Sequence, residues 1–232
     1  MHTPIVIYED NHLIAVNKPA GWLVQADETG DATLADWVKM YIKQRYGKPG
    51  DVFLGTIHRL DRPVSGVVIF ARTSKALSRM NELMRNRAIE KVYWAIAGQR
   101  PNPLSGTLRH YILKDRSRNI VKAYDQPSNR NKGAKEAILD YNFLAGLGQQ
   151  FLIEVRPKTG RPHQIRVQLS KLGCPIKGDL KYGSNDRLKN GSIFLHCRSM
   201  SFIHPVKKEK IEIVAKPWKN EVWLLFEDLW NE

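Results

Sequence analysis

Cysteine is scarce in this sequence, and long apolar runs are missing. The two cysteines, Cys174 and Cys197, show neither CxxC nor Cys/His spacing. We therefore expect no disulfide framework and no zinc site, and interpret both as reduced thiols of a cytoplasmic protein. No run of about 18 apolar residues occurs, so no membrane span is expected. The first residues lack the basic and apolar regions of a secretory signal.

Nucleotide and metal signatures are also missing. The sequence contains no GxGxxG motif, no Walker loop and no clustered His/Cys ligands, so we expect no cofactor and no metal. What is present is a chain of 232 residues with 42% apolar residues. That is enough for a substantial core in one large domain or two small ones.

The positive charge is concentrated in one part of the chain. The formal net charge is +14, of which residues 1–57 carry −2, residues 58–191 carry +16 and residues 192–232 carry 0. An even spread would fit a generally basic protein. A concentrated basic field favours a polyanionic partner, most often nucleic acid.

Residues 58–66, with the sequence HRLDRPVSG, form the most unusual stretch. One carboxylate, Asp61, lies among three basic or imidazole side chains, which are His58, Arg59 and Arg62. The apolar residues 67–71 predict a buried strand that would hold this loop in place. The arginines favour the ionised carboxylate and are expected to lower its pKa. Asp61 is therefore either a fixed nucleophile or base or a loop residue ion-paired for structure.

Residues 156–166, RPKTGRPHQIR, form a second unusual stretch. Pro162 fits the first turn of a helix, and Gly173 is placed to end it. A helix start amid basic groups suits phosphate. Arg166 lies near the apolar stripe of this helix and needs an acidic partner. Asp61 is our preferred partner for Arg166, and Asp179 is the alternative.

The remaining patterns predict an α+β chain. Apolar spacing indicates a helix over residues 33–46 and a second helix capped by Ser74. Alternation predicts strands in several segments, which are residues 5–8, 13–16, 89–97, 137–144, 151–155 and 192–202. Residues 99–135 are polar and are interpreted as loops with short strands. We expect one α+β domain with a mostly antiparallel sheet.

Tyr93 occupies a distinct position in the alternating segment 89–97. Val92, Trp94 and Ile96 share one face of this strand, and Tyr93 points to the other. Two interpretations follow for Tyr93: it faces a functional site, or it packs on the second covered face of a sheet.

Five segments together resemble the RluA-type RNA pseudouridine synthases. They are LIAVNKPAGWL at 13–23, HRLDRPVSGVVIF at 58–70, KVYWAIAG at 91–98, RPKTGRPHQIRVQLSKLGCPIKGDLKYG at 156–183 and FLHCRSMSFIHP at 194–205. The blocks occur in the family's order, and HRLD together with TGRxHQIR is highly specific. The resemblance implies a mixed fold around a long, bent, mostly antiparallel central sheet with flanking helices and a basic active-site cleft. It also implies isomerisation of uridine to pseudouridine in RNA.

The resemblance implies roles for individual residues. Asp61 matches the catalytic aspartate, Tyr93 the tyrosine stacked on the base, and Arg166 the arginine paired with the aspartate. Arg59 matches the arginine that helps to hold the target nucleotide out of the helix, and Leu195 an apolar residue of the uracil pocket. The other expected substrate-binding residues are basic or imidazole groups of the two motifs, namely His58, Arg62, Arg161 and His163.

Two departures from the family pattern stand out. Gln168 occupies a position where many relatives have histidine, which we expect to alter packing or RNA contact rather than chemistry. An S4-type RNA-binding domain, present in several relatives, is not expected. We therefore expect a single catalytic domain over residues 1–232, acting as a monomer in the cytoplasm.

Two rival functions would make different demands on the sequence. A non-catalytic RNA-binding protein would keep the basic field but would not need Asp61, Tyr93 and Arg166 together. A metal-dependent nuclease would need clustered acids for Mg²⁺, which the basic central region lacks. The sequence favours neither transfer RNA nor ribosomal RNA as the substrate.

Overall fold

The computed structural model describes residues 2–115, 117–188 and 191–230. The chain divides into two compact units, Met1–Lys91 with Cys197–Trp218 and Val92–His196 with Lys219–Glu232. The fold class is α+β, which confirms the sequence-based prediction. The expectation of one catalytic domain stays a prediction. Within the described ranges, no helix is both long and apolar enough to cross a membrane.

The described residues form strands and helices with the following bounds. The strands are β1 (Ile5–Glu9), β2 (Leu13–Lys18), β3 (Gly55–Thr56), β4 (Ser65–Ala71), β5 (Glu90–Ala97), β6 (Ser105–Asp115), β7 (Ile120–Tyr124), β8 (Lys135–Leu147), β9 (Gln150–Pro157), β10 (Leu195–Ile203) and β11 (Lys210–Val214). The α-helices are α1 (Leu34–Arg45), α2 (Ser74–Arg85), α3 (Gln164–Lys171) and α4 (Glu221–Leu224).

The first unit is built on a sheet with the strand order β1-β2-β4-β10. β3 pairs with β4, and β11 pairs with β10. The predicted hairpin of β1 and β2 is confirmed as an antiparallel pair. Every residue of β2 and β4 is buried, so these two mainly apolar strands form the core that supports the loop of Asp61.

The helices of the first unit confirm the predicted segments, with one correction. α1 starts in a capping box, because Thr33 accepts a hydrogen bond from the Asp36 amide while the Asp36 carboxylate accepts one from the Thr33 amide. The cap of α2 is Thr73 and not Ser74. Thr73 has an extended backbone and accepts the Ala76 amide, so Ser74 becomes the first helical residue.

Gly66 allows two strands of the first unit to approach each other closely. Its φ is +115°, and a Cβ atom placed there would lie 2.3 Å from the carbonyl oxygen of Cys197. Any side chain would therefore collide with the backbone of β10. The glycine that ends HRLDRPVSG thus serves strand packing directly behind the Asp61 loop.

The second unit contains a sheet with the strand order β5-β9-β8-β6-β7. All four of its neighbouring pairs are antiparallel. The interpretation of residues 99–135 as loops with short strands is wrong for β6, which is 11 residues long. Its residues alternate between buried positions, such as His110 and Ile112, and exposed ones, such as Arg109. The polar outward face concealed this period in the sequence.

Helix α3 begins later than predicted. Pro162 precedes the helix, and the N-cap is His163 in the left-handed conformation, with φ 49°. Gly173, at φ +85°, follows the helix end as expected. The first six residues of the helix are all buried.

Gln168 joins α3 to the sheet. It is fully buried, and its Nε2 lies 3.2 Å from the carbonyl oxygens of both Leu108 and Ala137. The same atom lies 3.0 Å from Nδ1 of His110. Since Nε2 is a donor, His110 accepts through Nδ1. Of the two expected consequences of this departure, the structure supports the one on packing.

Candidate active site

The Asp61 loop is anchored from both sides by apolar residues. Leu60 and Val64 are 8% and 3% exposed and insert into the core of the first unit. Between them the chain turns, with the Val64 amide donating to the Asp61 carbonyl at 3.0 Å. Asp61 itself is half-buried. The loop therefore presents the carboxylate from a rigid turn, as the sequence predicts.

The His58 imidazole accepts a hydrogen bond from β4, next to the point where the pairing of β3 with β4 ends. The last pair between these strands joins Thr56 to Phe70. Next along β4, the Ile69 amide donates to His58 Nε2 at 3.1 Å. The pKa of His58 is lowered to about 3, mainly by burial and also by the positive charge of Lys91. His58 is thus a neutral acceptor that fixes the start of the loop, while its expected contact with substrate stays a prediction.

Lys18 is a charged group of this site that sequence reasoning missed. It ends β2 and is fully buried. Its Nζ donates to the carbonyl oxygens of Trp22 at 2.8 Å, Pro19 at 3.1 Å and Arg62 at 3.3 Å. The ammonium group therefore ties the Asp61 loop to the segment that follows β2.

Lys18 also couples electrostatically to Asp61. The pKa of Lys18 is lowered to about 7, with burial as the main cause and the negative charge of Asp61 acting in the opposite direction. The positive charge of Arg62 also contributes to the lowered pKa of Lys18. The carboxylate of Asp61 therefore favours the charged form of Lys18.

The two arginines beside Asp61 differ in their surroundings. Arg62 donates through Nε to the Gly21 carbonyl at 3.1 Å and pairs with Asp31 at 2.8 Å. Its side chain is 47% exposed, so this surface pair contributes little to stability. Arg59 is exposed. RNA contacts by both residues remain predictions.

In the second unit, Gln164 organises the turn that precedes α3. Its Oε1 accepts the Thr159 hydroxyl at 2.8 Å and the Arg161 amide at 3.0 Å. Its Nε2 donates to the Ile138 carbonyl at 3.0 Å. Arg161 in turn donates through Nε to the Glu136 carbonyl at 3.1 Å. The TGRxHQ part of the motif is therefore a hydrogen-bonded turn fixed against β8.

Arg166 forms a buried ion pair with Asp179. Its Nε and Nη2 donate to the two carboxylate oxygens at 2.7 and 2.8 Å, and both side chains are less than 10% exposed. This is the alternative partner that the sequence left open. A guanidinium has five N–H donors, and this bidentate contact uses two of them. The contact with Asp179 does not test the preferred pairing of Arg166 with Asp61, which stays a prediction.

Tyr182 connects the TGRxHQIR motif to β7. Its hydroxyl accepts the Val121 amide at 2.9 Å and lies 2.6 Å from His163 Nδ1. Its ring centre lies 5.0 Å from the Arg166 guanidinium, within the range of a cation–π contact. His163, which was expected to bind substrate, is thus also held by Tyr182, and its substrate contact remains a prediction.

Tyr93 and Leu195 are placed on strands of the sheet. Tyr93 lies in β5 opposite Val155 of β9 and is half-buried. Leu195 is the first residue of β10 and is 3% exposed. Their roles in binding the base are untested and remain predictions.

Three residues were missed or undervalued in the sequence. Lys18 had a detectable signal, since it is a lone charge that follows the apolar run LIAV and Asn17. Asp179 could be recognised only as one of two acids for Arg166. Tyr182 gave no separate signal, because its three contacts join segments that are distant in sequence.

Comparison with known proteins decides the family. A family model described as RNA pseudouridylate synthase matches residues 12–171. The chain belongs to the RNA pseudouridylate synthase family. Members of this family isomerise uridine to pseudouridine in RNA, so this pseudouridine synthase is an enzyme and not a non-catalytic RNA-binding protein.

Individual relatives of this pseudouridine synthase differ in their named substrates. The tRNA pseudouridine synthase C of Haemophilus influenzae is 36% identical over 229 residues, covering 90% of this chain and 91% of that protein. The ribosomal large subunit pseudouridine synthase C of Rickettsia bellii is 35% identical, covering 92% of this chain and 68% of that protein. The chain spans 66% of the length of two further relatives.

A solved structure supports the same assignment. The structure of human RNA pseudouridylate synthase domain containing 4 has a TM-score of 0.78 and 28% identity to this pseudouridine synthase. The match covers 95% of this chain and 91% of that one.

Proposed function

We propose that this enzyme converts uridine to pseudouridine in transfer RNA or ribosomal RNA, with Asp61 as the catalytic residue. The observation that carries the proposal is the construction of the Asp61 loop. A neutral His58 and a buried Lys18 both fix this loop by hydrogen bonds. A carboxylate held in this way is pre-organised for chemistry at one position.

Isomerisation requires a bond exchange within one nucleotide. The C1′–N1 bond breaks, the uracil turns, and C5 bonds to C1′, while the C5 proton leaves to a base and N1 gains a proton. In our proposal the ionised Asp61 acts at C1′, as a nucleophile or by stabilising positive charge there. The reaction as written has no net oxidation or reduction.

The target nucleotide must first leave the base stack, which costs a few kcal/mol. In our proposal Tyr93 stacks on the flipped uracil, Leu195 lines its pocket and Arg59 holds the nucleotide out of the helix. The basic side chains Arg62 and Arg161, with the imidazoles His58 and His163, lie in the loops proposed to meet the displaced strand.

Arg166 is proposed to orient Asp61. Its bidentate contact with Asp179 and the nearby Tyr182 ring fix the guanidinium within the second unit. An arginine held along one edge can present its remaining N–H groups to a second carboxylate. The direct test is activity of Arg166→Lys, which keeps the charge but loses the fork geometry.

Two experiments test the proposed function. Purified enzyme is incubated with RNA containing C5-tritiated uridine, in separate series with transfer RNA and with ribosomal RNA, and released tritium is counted. Pseudouridine mapping of RNA from cells with and without the protein then identifies the site. No release from either RNA would overturn the proposal.

We further propose that the enzyme acts as a monomer in the cytoplasm. Sedimentation checks the oligomeric state, and cell fractionation checks the location.

A further inference from the structure

The end of the chain places three large aromatic side chains in the core of the second unit. We call residues 220–230, which include α4, the C-terminal segment. Trp223 and Trp230 are 5% exposed and Phe226 is 4% exposed. Aromatic rings bury more apolar surface than most side chains. The C-terminal segment is therefore anchored by its rings, although α4 itself has only four residues.

The two tryptophans of the C-terminal segment pack on strands that carry proposed substrate-binding residues. Trp230 stacks on Trp94 of β5, with ring centres 6.3 Å apart. Trp223 contacts Phe194 and His196 edge-on, at 5.9 and 6.0 Å. The two tryptophans lie 6.4 Å from each other. All these distances are within the range of about 4.5–7 Å in which aromatic rings attract. We call these five residues the aromatic cluster.

Leu195 lies between the two residues that Trp223 contacts. Successive side chains of a strand point to opposite faces. Leu195 follows Phe194 and precedes His196, so its side chain is directed away from Trp223. Leu195 is 3% exposed, and His196 is fully buried. Trp223 therefore packs behind the backbone that carries the proposed wall of the uracil pocket.

Tyr93 has the same relationship to the aromatic cluster. Trp94 and Ile96 share the face of β5 that the cluster covers, so Tyr93 is on the opposite face. The Ile96 amide donates to the Phe194 carbonyl at 2.9 Å, which joins β5 to the start of β10. Tyr93 and Leu195 therefore lie on one face of this sheet, and the aromatic cluster supports the other.

β10 begins directly after a tight turn. The Leu195 amide donates to the Ile193 carbonyl, two residues earlier, at 2.8 Å, which is the pattern of a γ-turn. One such bond is a short constraint, so the direction of the Leu195 side chain also depends on the packing of its neighbours. Trp223 supplies this packing, since its ring contacts the residues before and after Leu195.

We propose that Trp223 is a positioning residue for the isomerisation, which acts through Phe194 and His196 to fix Leu195 against the flipped uracil. This inference rests on the proposed function. Trp223 would touch neither the substrate nor the reacting atoms. The uracil turns between bond breakage and bond formation, so a displaced pocket wall should slow the reaction more than it weakens RNA binding. The competing explanation is that Trp223 only stabilises the unit, which predicts normal turnover by the folded variant.

A double-mutant cycle tests whether Trp223 acts through Leu195. Trp223→Leu, Leu195→Ala and the double variant are compared by single-turnover tritium release at saturating enzyme, and RNA affinity is measured in parallel. Trp223→Leu should react about 10-fold more slowly or worse, with RNA affinity within about threefold of wild type. The double variant should be at most about threefold slower than the slower single variant, because both changes act on the same pocket wall. Losses that multiply, or a wild-type rate in folded Trp223→Leu, would overturn the proposal.

Phe226→Leu is the matched control for these variants. Phe226 is as buried as Trp223 and lies in the same segment, but it has no ring contact within the described part of the chain. Phe226→Leu should lose stability in urea unfolding yet react within about twofold of wild type, and its effect should multiply with that of Leu195→Ala. Equal slowing by Phe226→Leu and Trp223→Leu would indicate general loosening and overturn the proposal.

Trp223→Phe provides a milder change in the same cycle. It keeps a smaller ring, so its rate should lie between those of wild type and Trp223→Leu, at about threefold below wild type or lower. If Trp223→Leu does not fold, Trp223→Phe takes its place with the same expected coupling to Leu195→Ala. A wild-type rate in Trp223→Phe would then contradict the positioning role.

Amide hydrogen exchange measures the position of Leu195 without reference to activity. Peptides covering residues 193–196 should exchange about 10-fold faster in Trp223→Leu, or in Trp223→Phe if that variant replaces it, and at the wild-type rate in Phe226→Leu. Unchanged exchange in the Trp223 variant would overturn the proposal. A wild-type enzyme that releases no tritium would instead contradict the proposed function, while the exchange rates would still decide whether Trp223 fixes Leu195.

Discussion

The guanidinium of Arg166 lies 5.0 Å from the ring centre of Tyr182, whose hydroxyl accepts the amide of Val121. One side chain thus links the arginine of the TGRxHQIR motif to a neighbouring strand. The ring and the hydroxyl do different work in this link, and they can be removed separately.

Tyr182→Phe should reduce stability while leaving Arg166 in contact with a ring. The Val121 amide is buried and would lose its acceptor, so the free energy of unfolding should fall by about 1–3 kcal/mol. Urea unfolding measures this change. Tyr111→Phe, on a half-buried residue for which no hydroxyl hydrogen bond is described, serves as the control and should change stability by less than about 0.5 kcal/mol. Equal effects of both variants would contradict the linking role of Tyr182.

His58 should make the enzyme less stable in acid. Its folded pKa of about 3 lies below the ordinary value of 6.5. Between these values the unfolded chain binds a proton that the folded protein excludes, so stability falls as pH decreases. From pH 6.5 to 5 this contribution is about 2 kcal/mol.

The test for His58 compares two substitutions. His58→Gln retains an acceptor for the Ile69 amide but does not titrate, so it should lose less stability than wild type on acidification. His58→Leu leaves that amide without its acceptor and should be destabilised at pH 7 by about 1–3 kcal/mol. If His58→Gln shows the full acid loss of the wild type, another group is responsible.

Lys18 should produce a pH dependence in the alkaline range. Its folded pKa of about 7 lies below the ordinary value of 10.5. Between these values the unfolded chain holds the extra proton, so stability rises with pH by up to about 1.4 kcal/mol per unit. Lys18→Met does not titrate. The free energy of unfolding, measured at pH 7 and 9, should therefore rise more for wild type than for Lys18→Met, whereas parallel profiles would contradict a neutral Lys18 at high pH.

Local patterns predicted much of the fold. The capping residues near Thr33, the hairpin of β1 and β2 and the buried strand after Asp61 all depend on neighbours in sequence, and all are present. β6 was missed because its exposed face is polar and basic, which local propensity interprets as loop. A strand with a charged outward face, such as β6, is recognised only once its partners, here β7 and β8, are known.

The candidate site shows the same division between local and distant contacts. The motifs pointed directly to Asp61 and Arg166, because unusual charges stood next to apolar runs. They did not reveal that Asp179 takes the bidentate contact of Arg166, or that Lys18 is hydrogen-bonded behind the Asp61 loop. Those contacts join segments 13 to 44 positions apart in sequence, which no periodicity encodes.

The most direct test of the catalytic assignment is Asp61→Asn, which keeps the shape of the side chain and removes its charge. An amide is neither a competent nucleophile nor a base, so tritium release from C5-labelled uridine in RNA should stop. RNA affinity should hold or rise, because the protein becomes more positive. Circular dichroism and RNA binding are measured on the same preparation. A folded, RNA-binding Asp61→Asn enzyme that releases tritium at the wild-type rate would contradict the assignment of Asp61 and the mechanism built on it.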